Sequence, residues 1–522
     1  MASVVDSVKH EVKEIKHEAD SEAHQILRTY AGNQVSQLAI RSSDKLMRTM
    51  LPQNTKQEIE TIPGILHPGA TGSLSELTLD GVDESIPGVI YCTDRAQANG
   101  FSANDPAWAN LGQGAPEVGD LPGGPPRPKT IDLTQWGDDV NEYGPTVGVK
   151  ELREAVAKLY NEEYRVDKDS QYTYENVCIV PGGRAGMARI SAVIGDVYCG
   201  YQVPEYTTYS EVLSVFKRLV PIPSALDAKN KYQLDIEQVL MSETPMKLKR
   251  EISNLSLNVI IASNPRNPTG QCIAGNDLRD LVRIARDRTT IVLDEFYSWY
   301  MYPDDPKDFG KSLSGATYVE DVNEDPVVII NGLTKGFRLP GWRVCWVVAP
   351  KAVISAISQS GSFLDGGASH PLQMAAIPLL ERSRISLQKA FRIKRDHVLA
   401  RLEKMGLPVS VPPQATFYIW LDLSKLAPPI NEGLTFFEEL LKEKTICVPG
   451  LFFDINPSQR RNLFNSPCHH FVRLSFGPKM EVLDTGLDAI ERVLKKHSHS
   501  AHLMGKDHAI GNATTPGTDQ HR

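Results

Sequence analysis

Residues able to do chemistry follow several short apolar runs of this sequence. The run TTIVLD at 289–294 ends in Asp294, and the run PVVIING at 326–332 leads within a few residues to Lys335 and Arg343. Another run, VCIVP, leads into a glycine pair before a helical stretch, which is a weak sign of an anion site. Ligands bind at the carboxyl ends of strands in open α/β sheets, so these groups are placed where a ligand could be held.

None of these residues is decisive when it is taken alone. An isolated lysine is usually a solvated surface charge, and an aspartate at the end of a strand is more often a turn or helix-capping residue. The tetrapeptide Asn-Pro-Thr-Gly at 267–270 is rarer, with roughly 0.003 chance occurrences in a chain of this length if all residue types were equally used. Even this tetrapeptide can be an ordinary turn, so the prediction depends on the order of several motifs.

The elements between these residues alternate in an α/β pattern. One predicted helix, in GVKELREAVAKLYNEEY, places five apolar residues on one face: Val149, Leu152, Val156, Leu159 and Tyr160. Short apolar runs that suit buried parallel strands lie at 177–181, 258–263, 289–294, 326–332 and 342–349. Helical stretches such as DLRDLVRIARD alternate with these runs, so the sequence predicts a mostly parallel sheet with flanking helices.

The motif order resembles that of the fold-type I aminotransferases of class I/II, which use pyridoxal 5'-phosphate (PLP). The resemblance covers about residues 85–490, and its segments occur in the family's order with sensible spacing. They are YGPTVGVKELR at 143–153, PGGRAG at 181–186, PEYTTY at 204–209, NPRNPTG at 264–270, DEFY at 294–297, GLTKGFRLPGWR at 332–343 and FVRLSFG at 471–477. The resemblance implies the α/β fold of the type I PLP-dependent transferases, in which a smaller α/β domain accompanies the main sheet.

The resemblance also implies which residues hold the PLP ring. Lys335 would form a Schiff base with the PLP aldehyde, and its amine, once displaced by the substrate, would move the proton. Asp294 would sit against the pyridine nitrogen and keep it protonated. Asn267 and Tyr297 would hydrogen-bond the ring O3', and Tyr206 would stack on the face of the ring.

The phosphate of PLP needs several donors. By the resemblance, Arg343 would offer a bidentate guanidinium, and the backbone amides of Gly183, Arg184 and Ala185 would cradle the phosphate at a helix N-terminus. Tyr143 matches a tyrosine that, in the family, reaches the phosphate from the neighbouring subunit. The resemblance therefore implies a homodimer with its active sites at the interface.

The α-carboxylate of the substrate is the other anion to be held. Arg473 matches the arginine that binds this carboxylate fork to fork, and Gly114 matches a glycine whose backbone approaches the same group. No metal ligand is expected. Two positions depart from the family's common residues, since Arg338 and Cys345 stand where small residues are usual. We expect Arg338 to face solvent or to form a structural ion pair rather than to contact the phosphate.

The implied function is transfer of the α-amino group of an amino acid to a 2-oxo acid. No second arginine can be assigned to a distal carboxylate, so a neutral or aromatic substrate is favoured. The PGWR segment is most similar to the tyrosine- and alanine-aminotransferase side of the family, although Arg338 and Cys345 weaken an assignment to a subfamily. The alternative is a PLP-dependent C–S lyase or another β-eliminating enzyme, because the same scaffold supports such reactions. A DNA-binding relative is disfavoured, since residues 1–84 lack a basic recognition helix.

Composition and charge argue against several other classes of protein. The 522 residues are 41% hydrophobic and 23% charged, with a net charge of -8, so neither a largely disordered chain nor a nucleic-acid-binding protein is expected. No apolar run is long enough to span a membrane. The N-terminal residues are acidic and lack the apolar core of a signal peptide, so a cytoplasmic location is expected. The seven widely spaced cysteines predict buried thiols rather than disulfides or zinc ligands.

The predicted organisation is one catalytic unit with two appendages. Residues 140–370 are expected to form the large PLP-binding domain, and residues 85–139 together with 371–495 the smaller domain. Residues 1–84 are expected to be a helical or irregular N-terminal extension. The tail at 496–522 is predicted to be disordered, with histidines that are solvated rather than bound to a metal.

Overall fold

The computed structural model describes residues 88–194, 197–213, 218–221, 231–232, 258–287, 289–381, 384–455 and 466–510. The predicted N-terminal extension at 1–84 lies outside the described residues. Ten α-helices are found within the described ranges. They are α1 (Gly88–Ala98), α2 (Lys150–Tyr164), α3 (Gly183–Ile194), α4 (Tyr209–Leu213), α5 (Gly275–Ile284), α6 (Lys351–Leu364), α7 (His370–Ala376), α8 (Ile385–Lys404), α9 (Gly433–Lys442) and α10 (Met480–Ile510).

Twelve β-strands occur in the same part of the chain and form three sheets. They are β1 (Ala109–Asn110), β2 (Val177–Val180), β3 (Tyr198–Tyr201), β4 (Arg218–Pro221), β5 (Val259–Ser263), β6 (Thr290–Asp294), β7 (Val327–Gly332), β8 (Cys345–Val348), β9 (Tyr418–Asp422), β10 (Thr445–Ile446), β11 (Val448–Pro449) and β12 (Phe471–Ser475). All five apolar runs predicted to be strands contain one, namely β2, β5, β6, β7 and β8.

The largest sheet has seven strands in the order β2-β8-β7-β6-β5-β3-β4. Its strands from β7 to β4 pair in parallel, as predicted. β8, however, runs antiparallel to both β7 and β2, so the prediction that the run at 342–349 is a parallel strand is wrong. Parallel pairing needs a long crossover, usually an α-helix, and no α-helix separates β7 from β8 in this fully described segment.

Burial explains why these strands are apolar throughout. Every residue of β2, β5, β7 and β8 is buried, as expected for a sheet covered by helices on both faces. The predicted apolar face of α2 is also confirmed, because Leu152, Val156, Leu159 and Tyr160 are all buried. The architecture is therefore the α/β class that the sequence predicts.

Two smaller sheets form within the residues predicted for the smaller domain. β12 lies between β9 and β11, and antiparallel pairing places Arg473 opposite Trp420 on one side and Val448 on the other. β1 pairs in parallel with β10. The described strands of the central sheet all fall within the range predicted for the large domain, but the domain boundaries themselves stay a prediction.

The last helix differs from the prediction for the C-terminal tail. α10 runs to Ile510, whereas the sequence predicts disorder from residue 496. At the start of this stretch the helix contacts α9: Lys496 Nζ and His497 Nε2 lie 2.7 and 3.2 Å from a carboxylate oxygen of Glu439. Partial burial raises the pKa of Glu439, but hydrogen bonds from Lys442 and these two residues outweigh it and lower the pKa to about 2.

Two predictions from composition can be compared with the described residues. All seven cysteines are buried, as predicted. Burial raises the pKa of Cys345 to about 11, which keeps this thiol protonated and unreactive near neutral pH. None of the helices in the described ranges combines the length and the apolar composition that a membrane crossing requires.

Candidate active site

The carboxyl ends of the central strands open into a pocket of about 430 Å³. β5 ends at Ser263 and β6 at Asp294, which face each other in the parallel register, and β7 leads into the loop that carries Lys335. Ten of the twelve predicted site residues line this pocket. They are Lys335, Asn267, Asp294, Tyr297, Tyr206, Gly183, Arg184, Arg343, Arg473 and Gly114.

The two other predicted site residues, Ala185 and Tyr143, do not line the pocket. Ala185 lies in the first turn of α3, and only its backbone amide was expected to contribute. The side chain of Tyr143 is fully exposed. Because Tyr143 was expected to serve the neighbouring subunit, its role stays a prediction for the single chain described.

Asp294 is a buried carboxylate at the floor of the pocket. Burial raises its pKa to about 6, although hydrogen bonds from Tyr209 and the Phe296 amide and the charge of Lys335 oppose the shift. The Tyr209 hydroxyl donates to Oδ2 at 3.0 Å, and the Phe296 amide donates to Oδ1 at 3.4 Å. The two donors favour the ionised form and fix the orientation of the carboxylate.

Lys335 follows β7 and directs its amine into the same pocket. Its Nζ donates a hydrogen bond to the Gly114 carbonyl. Desolvation and then the nearby charge of Arg473 lower the pKa of Lys335 to about 8, while Asp294 acts in the opposite direction. A lysine with this pKa has a substantial neutral fraction near physiological pH, which a nucleophile or a base requires.

Arg473 is almost fully buried on the central strand β12. Its Nη1 donates to Asn267 Oδ1 at 2.9 Å, and its Nη2 donates to the Gly112 carbonyl at 2.6 Å. The guanidinium also lies over the ring of Tyr418, 4.2 Å from the ring centroid. Its Nε is buried and finds no hydrogen-bond partner among the described residues, while the residue itself lines the pocket and brings a positive charge to it.

Arg343 forms a second cationic region of the pocket, separate from Arg473, and lies beside Gly182 just before α3. The backbone of Arg343 is left-handed (φ 54°), and its Nη1 donates to the Pro340 carbonyl at 3.1 Å. Gly182 has a φ of 109°, and a Cβ placed on it would lie only 1.7 Å from Arg343 Nη2. Glycine is therefore needed at 182 both for the backbone conformation and for the guanidinium beside it.

Two tyrosines of the pocket were not predicted. Tyr209, which holds Asp294, comes three residues after Tyr206 in the motif PEYTTY, so helical spacing could have indicated it. Tyr418 begins β9, and its hydroxyl lies 2.7 Å from that of Tyr297. No local signal in the sequence points to Tyr418, because the long-range pairing of β9 with β12 brings it to the pocket.

The structure contradicts the expectation for Arg338. This side chain does not face solvent and forms no ion pair with the residues that the structure describes: it is 5% exposed and donates to the carbonyls of Glu117 and Gly119 at 3.0 and 2.6 Å. The left-handed backbone at Arg338 (φ 55°) turns the loop in this region. The side chain thereby links the lysine loop to the irregular segment near residue 118, a contact that local sequence cannot reveal.

Comparison with known proteins agrees with this geometry. The family described as aminotransferase class I and II matches residues 107–490. The chain belongs to the class I and II aminotransferases. The match spans most of the described part of the chain, from before Gly114 to beyond Arg473, and so includes every residue that lines the pocket except Val89.

Individual relatives of this aminotransferase are distant. An aspartate aminotransferase of Thermotoga maritima is 28% identical over 363 residues, which cover 68% of this chain and 83% of the relative. The aromatic-amino-acid aminotransferase 2 of Thermococcus litoralis is 25% identical over 369 residues, covering 68% of this chain and 85% of that protein. A crystal structure of an aminotransferase from Mycobacterium tuberculosis has a TM-score of 0.62 at 19% identity, covering 81% of this chain and 99% of that chain, which shows the shared fold.

Aminotransferases of this family use PLP, and the pocket residues suit that cofactor. The pocket has a volume within the usual range for small-molecule sites, roughly 300–1,000 Å³. It presents a primary amine at Lys335, a buried carboxylate at Asp294 and, at Arg343, a guanidinium beside the start of a helix. These three groups match an aldehyde, a ring nitrogen and a phosphate, respectively.

The charged amine of Lys335 is expected to destabilise the cofactor-free aminotransferase. Its folded-state pKa of about 8 lies below the ordinary 10.5, so the full cost applies below pH 8 and disappears as pH rises towards 10.5. We therefore expect K335M to be about 1–3 kcal/mol more stable than the native cofactor-free chain at pH 7, with the difference shrinking above pH 8. Denaturant unfolding across this pH range measures it.

The matched control is K351M, which removes a lysine that is 46% exposed and paired with Glu175. This variant should follow the native pH dependence. If K335M and the native chain differed by the same amount at every pH, burial of the Lys335 charge would not be the cause.

Substituting Gly182 is expected to weaken binding of the cofactor. In G182A the new methyl group must displace the Arg343 guanidinium, and the positive φ adds strain. Loss of a charge-assisted hydrogen bond costs about 1.5–3 kcal/mol, so the dissociation constant for PLP should rise roughly 10- to 100-fold. An absorbance titration of cofactor-free protein provides the measurement. G341A is the control, because no atom of the described residues lies within 4 Å of a Cβ at Gly341; equal affinities of both variants would contradict the prediction.

Proposed function

We propose that this PLP-dependent aminotransferase transfers the amino group of a neutral or aromatic amino acid to a 2-oxo acid. One observation carries the proposal: beside its charged groups, the pocket is lined by several apolar side chains. They include Val89, Met187, Val212 and Phe296. An uncharged substrate side chain gains free energy by leaving water for such a surface, whereas a carboxylate would lose its hydration there.

We assign support of the cofactor to the residues on the strand ends. PLP, when bound, supplies an electron sink for the negative charge that develops at the substrate Cα. Asp294 keeps the proton on the ring nitrogen, because its carboxylate is buried and oriented by Tyr209. Arg343 binds the phosphate together with the backbone amides at the start of α3. The ring oxygen and the ring face are assigned to Asn267, Tyr297 and Tyr206.

The substrate is held and deprotonated by residues from both parts of the pocket. Arg473 binds the α-carboxylate, since it is a buried cation that lines the pocket and is held in place by Asn267. Lys335 takes the proton from Cα, because its lowered pKa leaves free amine near neutral pH. The Gly114 carbonyl orients that amine before the substrate arrives.

A second candidate substrate class is the dicarboxylic amino acids. Arg184 also lines the pocket, next to Tyr206, whose hydroxyl lies 3.3 Å from its Nη2. Arg184 is a fourth cation in the pocket, in addition to Lys335, Arg343 and Arg473, and it could bind a side-chain carboxylate. An aspartate aminotransferase is among the relatives. We favour the neutral class because Arg184 stands largely in solvent, where an ion pair contributes little.

A donor panel distinguishes the two classes. We expect kcat/KM for phenylalanine, tyrosine, leucine or alanine to exceed that for aspartate and glutamate by about tenfold or more. R184Q should change kcat/KM for aspartate and glutamate by the same factor as for the uncharged donors, and the exposed-surface variant R283Q serves as the control. A preference for aspartate that R184Q removes would replace this proposal with the dicarboxylic one. Release of ammonia without a 2-oxo acid acceptor would instead indicate elimination.

We also propose that the enzyme is a homodimer in which Tyr143 completes the site of the partner. The proposal is supported by the full exposure of Tyr143 and its position outside the pocket of its own chain. The variants Y143A and K335A should each have low activity alone. Mixing them should restore activity, because one site of a mixed dimer combines Lys335 of the Y143A chain with Tyr143 of the K335A chain. No restoration in demonstrably mixed dimers would reject it. A cytoplasmic location stays a prediction from the sequence.

A further inference from the structure

Three potential metal ligands meet at the surface near the start of β12, although the sequence gives no reason to expect a metal there. Glu432 immediately precedes α9, and His469 and His470 form the turn that leads into β12. One ring nitrogen from each histidine and one carboxylate oxygen from Glu432 lie within 4.8 Å of one another. The chain folds these residues together from segments that are distant in sequence.

The distances between these atoms suit a shared ion better than direct hydrogen bonds. Glu432 Oε1 lies 3.8 Å from His469 Nε2 and 3.5 Å from His470 Nδ1. These separations are at or beyond the limit for a hydrogen bond. Two ligands held about 2.0–2.1 Å from a zinc ion at the tetrahedral angle are separated by roughly 3.4 Å, so small side-chain adjustments would suffice.

The surroundings hold both rings in place through their other contacts. His469 Nδ1 is hydrogen-bonded to the Ser466 carbonyl, and His470 Nδ1 lies 2.8 Å from the Asn431 carbonyl. A proton given to a carbonyl from Nδ1 leaves Nε2 with a lone pair, which is the usual arrangement of a metal-binding histidine. His469 Nε2 already faces Glu432. His470 presents Nδ1 to Glu432, so binding an ion through that nitrogen requires it to lose its proton and give up the contact with the Asn431 carbonyl.

Backbone hydrogen bonds also hold the segments around the two histidines together. The amides of Gly433 and Leu423 donate to the carbonyls of His469 and His470, each at 2.8 Å. A Cβ on Gly433 would lie 2.3 Å from the Phe471 carbonyl oxygen, so glycine allows the start of α9 to lie directly against the turn. The ligand-bearing segments are therefore fixed relative to each other before any ion arrives.

We propose that Glu432, His469 and His470 bind one divalent transition-metal ion of the zinc class at the surface. Two imidazoles and a carboxylate form a ligand set that zinc accepts, and it leaves a fourth position for water. The three side chains are 30–43% exposed, so an ion and its water can enter. The bound ion joins the start of α9 to the turn from which the strand carrying Arg473 begins.

The test is zinc binding by the purified full-length, PLP-loaded enzyme after removal of metals, measured by equilibrium dialysis against ZnCl₂. We expect E432Q and H469N each to bind one ion fewer per chain than the parent at micromolar zinc, or to bind that ion at least about tenfold more weakly. E432Q is a mild change, because the Glu432 side chain makes no capping hydrogen bond to α9. Cobalt(II) absorption reports whether nitrogen ligands are bound.

Two controls separate this site from other histidines. H397N removes a histidine whose Nε2 lies 2.7 Å from Asp484, a histidine–carboxylate contact without a second histidine, and should bind zinc like the parent. A chain with asparagine in place of His497, His499, His502, His508 and His521 should keep the ion that E432Q loses. Equal zinc stoichiometry and affinity in E432Q, H469N and the parent would overturn the proposal, as would a parent that binds no zinc.

Discussion

Replacing Lys335 with alanine is expected to lower kcat by about 10⁴-fold or more, since the variant loses the only amine that the pocket of the described chain presents to the substrate. Its Nζ sits at the Gly114 carbonyl in the same cavity as Asp294 and Arg473. No neighbouring side chain in the pocket can substitute, because the other cations there are arginines, which do not lose their proton near neutral pH. Single-turnover assays with a preferred donor measure the loss.

The mass of the protein after borohydride treatment provides an independent readout for Lys335. Native protein should gain the mass of the reduced cofactor, while K335A should not. The exposed-lysine variant K351A should behave like the native protein in both experiments. Normal turnover by K335A, or retention of the cofactor mass, would show that the amine has been assigned to the wrong residue.

Replacing Asp294 with asparagine is expected to lower kcat by roughly 10²–10³-fold. Asparagine keeps the size of the side chain but removes the negative charge that supports a protonated ring nitrogen. The effect should fall on kcat more than on KM, because Arg473, rather than Asp294, is assigned to the substrate carboxylate. Initial-rate measurements at saturating and limiting donor separate the two constants.

The adjacent residue Glu295 offers a closely matched control for Asp294. It is fully buried but does not line the pocket, and its carboxylate accepts from the Gly315 amide at 2.7 Å. Burial raises its pKa to about 8, so it is largely protonated at pH 7 and glutamine is a close mimic. E295Q should therefore retain activity, and equal losses in D294N and E295Q would contradict a specific role for the Asp294 charge.

Much of the candidate site could be predicted because its residues belong to local motifs. Asp294 and Lys335 follow apolar runs that are strands in the structure, and strand ends in one sheet open on the same side. Gly183 and Arg343 were found through the same motifs, and they line the same pocket. The resemblance of the motif order picked out these residues, and the central sheet explains why they meet, because it brings the ends of strands distant in sequence together.

Residues that depend on long-range contacts were missed or misjudged. Tyr418 reaches Tyr297 only because β9 pairs with β12. Arg338 is buried only because the irregular segment near Gly119, which is distant in sequence, packs against its side chain. The direction of β8 was also mispredicted, since an apolar run has the same composition in either direction. None of these features leaves a periodic or compositional trace.

The sequence by itself determined the α/β class, because short apolar runs and helical periodicity impose strands and helices locally. The order of its motifs gave the resemblance to a family, and that resemblance implied the cofactor and the residues now found around the pocket. Only the tertiary structure decided how strongly these groups act on one another. Burial brings the pKa of Asp294 up to about 6 and that of Lys335 down to about 8, and neither shift can be assigned before their surroundings are known. The meeting of Glu432 with His469 and His470 has the same origin, since packing of α9 against the turn before β12 creates it.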